Sequence, residues 1–273
     1  MLLPALVVIT TGLIALAIYS AKVLAGRPPE VANLKTNEVF GLFWSRYAYW
    51  AVRPLERAMI ATGMSPNFVT FLSFLACVGT GVAVGFGQLA TGCWLFFLGG
   101  ALDMLDGRLA RALGRQTEAG ALFDSVADRW AELAAFVGYA WFLRDTPWLL
   151  AAVGCSAGSM MVSYTRARCE GLGLKLRGGA MQRAERMTLV SGGTLVAAVF
   201  ATDPARGHWV VPTVGGVLAL CGVLSTITAL RRWLDGYRAL QRLDAAKPST
   251  SQPMVAAVET AAAESRSPSP SVA

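Results

Sequence analysis

Four aspartates and four small or basic residues stand at fixed spacing in this 273-residue chain: Asp103-x-x-Asp106-Gly107-x-x-Ala110-Arg111, eight residues, then Gly120-x-x-x-Asp124-x-x-x-Asp128. At about 100° per helical residue, Asp103, Asp106 and Ala110 share one face, with Gly107 and Arg111 beside it. Gly120, Asp124 and Asp128 share a face by i, i+4 spacing. The connecting stretch is short, so the spacing predicts two antiparallel neighbouring helices whose carboxylate faces meet. Four carboxylates converging in apolar surroundings repel one another and need cations to stay ionised. Carboxylate oxygens without His or Cys favour Mg²⁺ or Mn²⁺. Two such ions about 3.5–4 Å apart would clamp a phosphoryl group in transfer. The remaining fixed positions suit a nucleotide. Gly107 and Gly120 let backbone approach a ligand, Ala110 leaves room for a base, and Arg111 offers a phosphate fork. A carboxylate-coupled transporter also carries intramembrane aspartates, but nothing in transport requires glycine and alanine at these offsets.

The elements that must position this motif lie in a membrane. Of the residues, 55% are hydrophobic and only 15% are charged, with a mean hydropathy of +0.50. A soluble domain carries about a quarter charged residues. Seven apolar runs are long enough to cross a hydrocarbon core of about 30 Å. They cover about 2–24, 67–86, 90–113, 119–143, 147–168, 182–202 and 209–231. The expected fold is therefore an all-α integral membrane bundle. Its organisation reads as an N-terminal transmembrane anchor (1–25), an interfacial amphipathic segment (26–62), a catalytic transmembrane domain (63–243) and a disordered tail (244–273) rich in Ala, Ser, Pro and Thr. The first run lacks a basic leading segment and reads as a retained anchor rather than a cleaved signal. In the interfacial segment Phe40, Phe43, Trp44, Tyr47, Tyr49 and Trp50 interleave with Arg46, Arg53 and Arg57, as in a helix lying among lipid headgroups. Ser65-Pro66-Asn67 opens the next span, with a capping hydroxyl and a proline suited to the first turn.

Threading seven spans leaves Arg144 and Arg206 on one side and the other 22 of the 24 Lys and Arg on, or facing, the opposite side. The positive-inside rule then places the motif at the cytoplasmic surface, with the C-terminus in the cytoplasm. The net charge of +7 follows from these flanks and calls for no nucleic acid. The five cysteines form no CxxC pair and read as small apolar packing residues. With His208 alone, neither a His-based zinc site nor a His-base hydrolase is supported. Gly154-x-Ser156-x-Gly158 spells a nucleophile elbow, but it lies mid-helix without a reachable histidine. It reads instead as small residues for close helix packing. Gly81-x-x-x-Gly85 reads the same way, at a dimer contact or inside the bundle.

The eight fixed positions resemble the signature of the CDP-alcohol phosphatidyltransferase family at every site. The resemblance covers roughly residues 53–240, including Ser-Pro-Asn-Phe-Val-Thr at 65–70. It implies a six-helix core, here with one extra N-terminal span, usually assembled as a homodimer. It also implies attack of an alcohol on a CDP-linked lipid with loss of CMP. By position, Asp103, Asp106, Asp124 and Asp128 would hold two Mg²⁺ or Mn²⁺ ions, and Asp128 would serve as general base. Asp103, Asp106, Gly107, Ala110, Arg111 and Gly120 would form the CDP site.

The acceptor must be read elsewhere. Ser163-Tyr-Thr-Arg166-Ala-Arg168-Cys-Glu170 and Gln182-Arg183-Ala-Glu185-Arg186 concentrate basic residues beside a helix entry. Arg183 and Arg186, at i, i+3, could form a phosphate fork. A phosphorylated acceptor and ordinary positive-inside charge explain this concentration equally well. Both stretches are similar to those of the phosphatidylinositol-phosphate synthase branch, which implies inositol 1-phosphate as acceptor and CDP-diacylglycerol as donor. Ser163, Arg166, Arg183 and Arg186 would then bind the acceptor phosphate, joined by Arg231 or Arg232. Arg166 stands where that branch has Lys, and Ala184 where it has Pro. Glycerol 3-phosphate is the alternative acceptor.

Overall fold

The computed structural model describes residues 3–27, 41–174, 179 and 181–246, and every regular element among them is helical. The elements are α1 (Leu3–Leu24), α2 (Gly41–Ala51), α3 (Arg53–Ala61), α4 (Pro66–Gly85), α5 (Leu89–Ala112), α6 (Glu118–Phe142), α7 (Leu149–Gly171), α8 (Arg183–Phe200) and α9 (Val210–Ala246), with a 3₁₀ turn at Gly207–Trp209. Helix ends follow the expected spans to within three residues except at the last. There α9 runs to Ala246, because 232–246 carry no proline and, Gly236 and the aspartates apart, are mostly good helix formers. Residues 26–40 of the interfacial segment are described only at 26 and 27, and the tail beyond 246 lies outside the described residues. The chain divides into the units Met1–Arg232 and Trp233–Ala273, and 233–246 of the second are helical.

Local chemistry sets the boundaries around the motif. Ser65 sits in extended backbone and its Oγ accepts from the Phe68 N–H at 3.3 Å, with Pro66 opening α4. Gly114 ends α5 at φ +64°, where the Arg115 N–H reaches back to the Ala110 carbonyl at 2.9 Å. Thr117 then caps α6, its Oγ1 accepting from Gly120 N–H at 3.0 Å.

Packing departs from the sequence expectation in one consequential way. α5 and α6 do not lie face to face along their length. Each packs extensively on α4, which is wedged between them, while α8 covers α5 and α7 covers α6. The wedge is permitted by small residues. A Cβ at Gly138 of α6 would meet the Gly81 carbonyl oxygen of α4 at 2.0 Å. Gly81-x-x-x-Gly85 therefore works inside the bundle. Gly158 of α7 meets the Gly222 carbonyl of α9 in the same way, at 3.0 Å from a built Cβ. This accounts for the elbow-like motif as helix packing. Phe96, Phe136, Tyr139, Val190 and Leu218 centre the main core, and Tyr139 Oη and Thr194 Oγ1 share a hydrogen bond of 2.7 Å there. All five cysteines are free and buried.

The bundle exterior is apolar, with Phe71, Val82, Trp130, Val137 and Trp141 exposed. A surface of this kind belongs in lipid. Among the described residues three helices, Pro66–Gly85, Leu89–Ala112 and the segment Gly207–Ala246, are long and apolar enough to cross a membrane. α6 and α7 are longer than α4 but carry the charges of the motif and the acceptor stretch, which lower their hydropathy.

Where α1 meets α2, Tyr19 of α1 is 1% exposed. It lies 5.3, 5.7 and 5.6 Å from the rings of Phe43, Tyr47 and Trp50. α3 reaches α5, where Met59 joins Val69, Leu102, Leu105 and Leu109 in a second, smaller core.

Candidate active site

The site is assembled by four helices. α5 supplies Asp103 and Asp106, α6 supplies Asp124 and Asp128, α4 supplies Thr70 and Asn67, and α8 supplies Arg183. Carboxylate oxygens of Asp103, Asp106 and Asp124 lie within 4.8 Å of one another. Asp106 is buried, its Oδ2 accepting from Thr70 Oγ1 at 2.8 Å and its Oδ1 from the Gly107 N–H. Those bonds fix one carboxylate while the other two remain partly accessible. Asp128 is tied to Asp103 through Arg183, whose Nη1 donates to Oδ1 of both. The other guanidinium nitrogens, Nε and Nη2, are buried without a hydrogen-bond partner. They remain donors for a further acceptor atom.

The donor set fits divalent metal. Three carboxylates whose oxygens lie within 4.8 Å of one another, with no nitrogen or sulfur ligand among them, match the preference of hard cations. Gly107 supports a ligand on the same side. A Cβ there would make only ordinary contact, 3.5 Å from Arg111 Nη1, so internal packing does not demand the glycine. A helical glycine costs about 1 kcal/mol relative to alanine, which suits a position kept clear for something outside the chain. Gly120 differs: a Cβ would lie 3.0 Å from Thr117 Oγ1 and 3.4 Å from Asn67 Oδ1, so its absence also serves the α6 cap. Ala110, Arg111 and Gly120 are half-buried at the same helix ends.

The basic residues expected at an acceptor site separate into two groups. Arg183 and Arg186 do not act as a two-pronged fork. Arg183 enters the aspartate cluster, whereas Arg186, 1% exposed, is held in a two-point ion pair by Glu132 at 2.7 and 2.8 Å and donates to the Met181 carbonyl at 2.9 Å. Three of its five N–H groups are thereby engaged. The physical reason is the row Asp124, Asp128, Glu132 on α6: each arginine takes the carboxylate at its own level. Arg232 lies within electrostatic reach of both Arg166 and Arg186. Arg232 Nη1 donates to the Val162 carbonyl at 3.0 Å, one residue from Ser163. Arg166 is exposed and pairs with Glu170 at 2.9 Å. Ser163 is half-buried on the same helix.

Sequence reasoning missed Thr70, Asn67 and Glu132. Glu132 was available as the next i+4 step of the aspartate row. Thr70 and Asn67 had no such signal, because their place depends on α4 entering between α5 and α6.

Comparison with known proteins agrees with this geometry. Residues 63–228 match the CDP-alcohol phosphatidyltransferase family. A phosphatidylinositol phosphate synthase of Mycobacterium tuberculosis is 34% identical over 199 residues, covering 70% of this chain and 88% of the relative. Its counterpart in Mycolicibacterium smegmatis is 33% identical over 210 residues, covering 74% and 93%. Two crystal structures of the M. tuberculosis enzyme superpose on this fold. The one with CDP-DAG bound has a TM-score of 0.58 at 32% identity and covers 67% of this chain and 92% of that one. The one with manganese and citrate has a TM-score of 0.59 at 31% identity and covers 67% and 88%. A motif matched at all eight positions, a carboxylate cluster suited to divalent metal and a helical bundle shared with these enzymes converge on one conclusion: the chain belongs to the CDP-alcohol phosphatidyltransferase family, as an integral membrane, metal-dependent phosphotransferase.

Proposed function

We propose that the protein transfers the phosphatidyl group of CDP-diacylglycerol to inositol 1-phosphate and releases CMP. The observation that carries the reading is the convergence of Asp103, Asp106 and Asp124 within 4.8 Å, with Asp128 linked to the same cluster through Arg183. The names of the relatives, phosphatidylinositol phosphate synthases throughout the leading matches, support the acceptor.

Asp103, Asp106, Asp124 and Asp128 would hold two Mg²⁺ or Mn²⁺ ions. When bound, such ions supply positive charge against the transferring phosphoryl group. Gly107, Ala110, Arg111 and Gly120 hold the cytidine diphosphate moiety. Asp128 takes the proton of the attacking hydroxyl. The hydroxyl oxygen forms a bond to the phosphorus carrying diacylglycerol as the bond from that phosphorus to the bridging oxygen breaks, and CMP leaves with the bridging oxygen. Arg183 has unpartnered donors beside Asp128 and orients the acceptor phosphate next to the attacked phosphorus. Ser163 and Arg166, with Arg232, surround that phosphate from α7 and α9, while Arg186, paired with Glu132, holds α8 in place. The same reading places the motif at the cytoplasmic face of the inner (plasma) membrane, where a water-soluble acceptor reaches it, in a seven-span chain working as a homodimer. The distribution of Lys and Arg supports that orientation.

The acceptor is tested with purified protein in detergent, Mg²⁺ and CDP-diacylglycerol, by comparing kcat/KM for inositol 1-phosphate, inositol, glycerol 3-phosphate and serine. The expected result is a preference for inositol 1-phosphate of at least about 10³-fold over inositol, because a site in which Arg183 keeps two buried donors unpartnered rejects an acceptor lacking the phosphate. A preference for glycerol 3-phosphate would keep the reaction and replace the acceptor.

A further inference from the structure

The motif-bearing end of α5 has a second face that the reaction does not use. Arg108 sits between Gly107 and Ala110 but points away from the aspartates, at roughly 170° from the midpoint of Asp103 and Asp106 around the helix. It is buried at 9% exposure, and its Nε and Nη2 donate to Glu56 Oε1 at 3.0 Å and Oε2 at 2.8 Å. The Tyr49 ring covers its guanidinium at 4.8 Å. Glu56 is itself buried, at 8%. The same helices, α3 and α5, also share the small core of Met59, Val69, Leu102, Leu105 and Leu109 with α4. One arginine thus joins α2 and α3 to the helix that carries Asp103 and Asp106. Greasy packing alone would fix the separation of α3 and α5 but permit sliding and rotation. A two-point guanidinium–carboxylate pair is directional and removes that freedom.

We propose that Glu56 is a positioning residue: through its two-point pair with Arg108 it sets the rotation and depth of the motif-bearing end of α5, and so the geometry of the CDP-lipid site. The proposal rests on the transfer reaction described above. It separates the two substrates. Among the described residues α3 packs on α5, whereas Ser163 and Arg166 lie on α7, which packs on α6; of the acceptor groups on α7 and α8, Arg183 is the one bonded to α5, through Asp103. Loosening the pair therefore weakens use of the CDP-lipid more than use of the acceptor, which feels α5 only through Arg183. A general loss of stability behaves differently, lowering the active fraction and hence kcat without changing either KM.

The test compares the full-length wild type with Glu56→Gln, with the apolar pair Glu56→Met/Arg108→Leu, and with the exchanged pair Glu56→Arg/Arg108→Glu. The apolar pair removes both charges, so no lone buried charge threatens folding. For each protein CMP release gives KM for CDP-diacylglycerol and KM for inositol 1-phosphate, and the binding of CDP-diacylglycerol is measured separately by thermal shift. The expected result is a rise of at least about tenfold in donor KM for Glu56→Gln and for the apolar pair, with a matching loss of the thermal shift and a clearly smaller change, about threefold or less, in acceptor KM. The exchanged pair should return donor KM to within about threefold of wild type. Unchanged donor KM in the apolar pair, or equal changes in both KM values, would overturn the proposal while wild-type turnover still upheld the reaction. A wild type that releases no CMP would overturn the reaction, and the positioning assignment with it.

Discussion

Arg183 and Arg186 stand three residues apart on α8 and face carboxylates four residues apart on α6, yet their surroundings differ in kind. Arg186 meets Glu132 in a buried two-point pair, completed by the Met181 carbonyl. Arg183 meets Asp128 and Asp103 through a single nitrogen, with Nε and Nη2 unpartnered and the carboxylates still a fifth to a quarter exposed. A saturated ion pair of this sort holds helices in place, and removing either member leaves a buried charge. An unsaturated one keeps donors and acceptors for ligands. Within one helical turn the same residue types serve a scaffold and a site, and completeness of hydrogen bonding tells them apart.

The largest expected break in that contrast comes from the site side. Asp128→Asn should lower kcat by about 10²–10⁴-fold, with the melting temperature in detergent close to wild type. Near-normal turnover would remove Asp128 as the general base. On the scaffold side, Glu132→Ala should destabilise the protein by about 3–5 kcal/mol, read as a lowered midpoint of thermal aggregation. Glu132→Leu combined with Arg186→Met should recover most of that loss, since an apolar pair of similar volume replaces a buried ion pair at little cost. If the single and double variants were equally unstable, Glu132 and Arg186 would not be acting as a pair.

A smaller effect should sharpen the comparison. Arg183→Gln removes donors proposed for the acceptor phosphate, and charge-assisted hydrogen bonds contribute about 1.5–3 kcal/mol. KM for inositol 1-phosphate should rise by roughly ten- to a hundredfold, with stability little changed. Unaltered acceptor kinetics would remove Arg183 from the acceptor site. The smallest effect should be that of Thr70→Val. It deletes the bond orienting Asp106, and loss of such an outer partner weakens metal affinity by about 10–100-fold, toward the lower end where a second bond, from Gly107, remains. Titration of Mn²⁺ against the two proteins measures it directly.

Much of this was legible in the sequence, and the rest failed for identifiable reasons. The helix positions followed from apolar run length, and the capping at Ser65 from side-chain type. Four converging aspartates were expected, and Asp103, Asp106 and Asp124 do cluster, because i, i+3 and i+4 steps fix a face on each helix, while Asp128 joins them through Arg183. The destination of Arg183 and Arg186 did not follow. Their spacing predicts a common face, but the depth of neighbouring carboxylates assigns them separate partners. Thr70 and Asn67 were illegible for a topological reason, since a short α5–α6 connection suggests direct contact and gives no sign that α4 enters between them. The Glu56–Arg108 pair joins residues 52 positions apart, which no local pattern records.

The most direct test of the account is the stoichiometry of product formation. Purified protein would be given CDP-diacylglycerol, inositol 1-phosphate and Mg²⁺, with CMP quantified and the lipid identified by mass. The account predicts one phosphatidylinositol phosphate per CMP, abolished by a chelator and restored by divalent metal. CMP released without that lipid, or that lipid formed at an undiminished rate in the chelator, would contradict it.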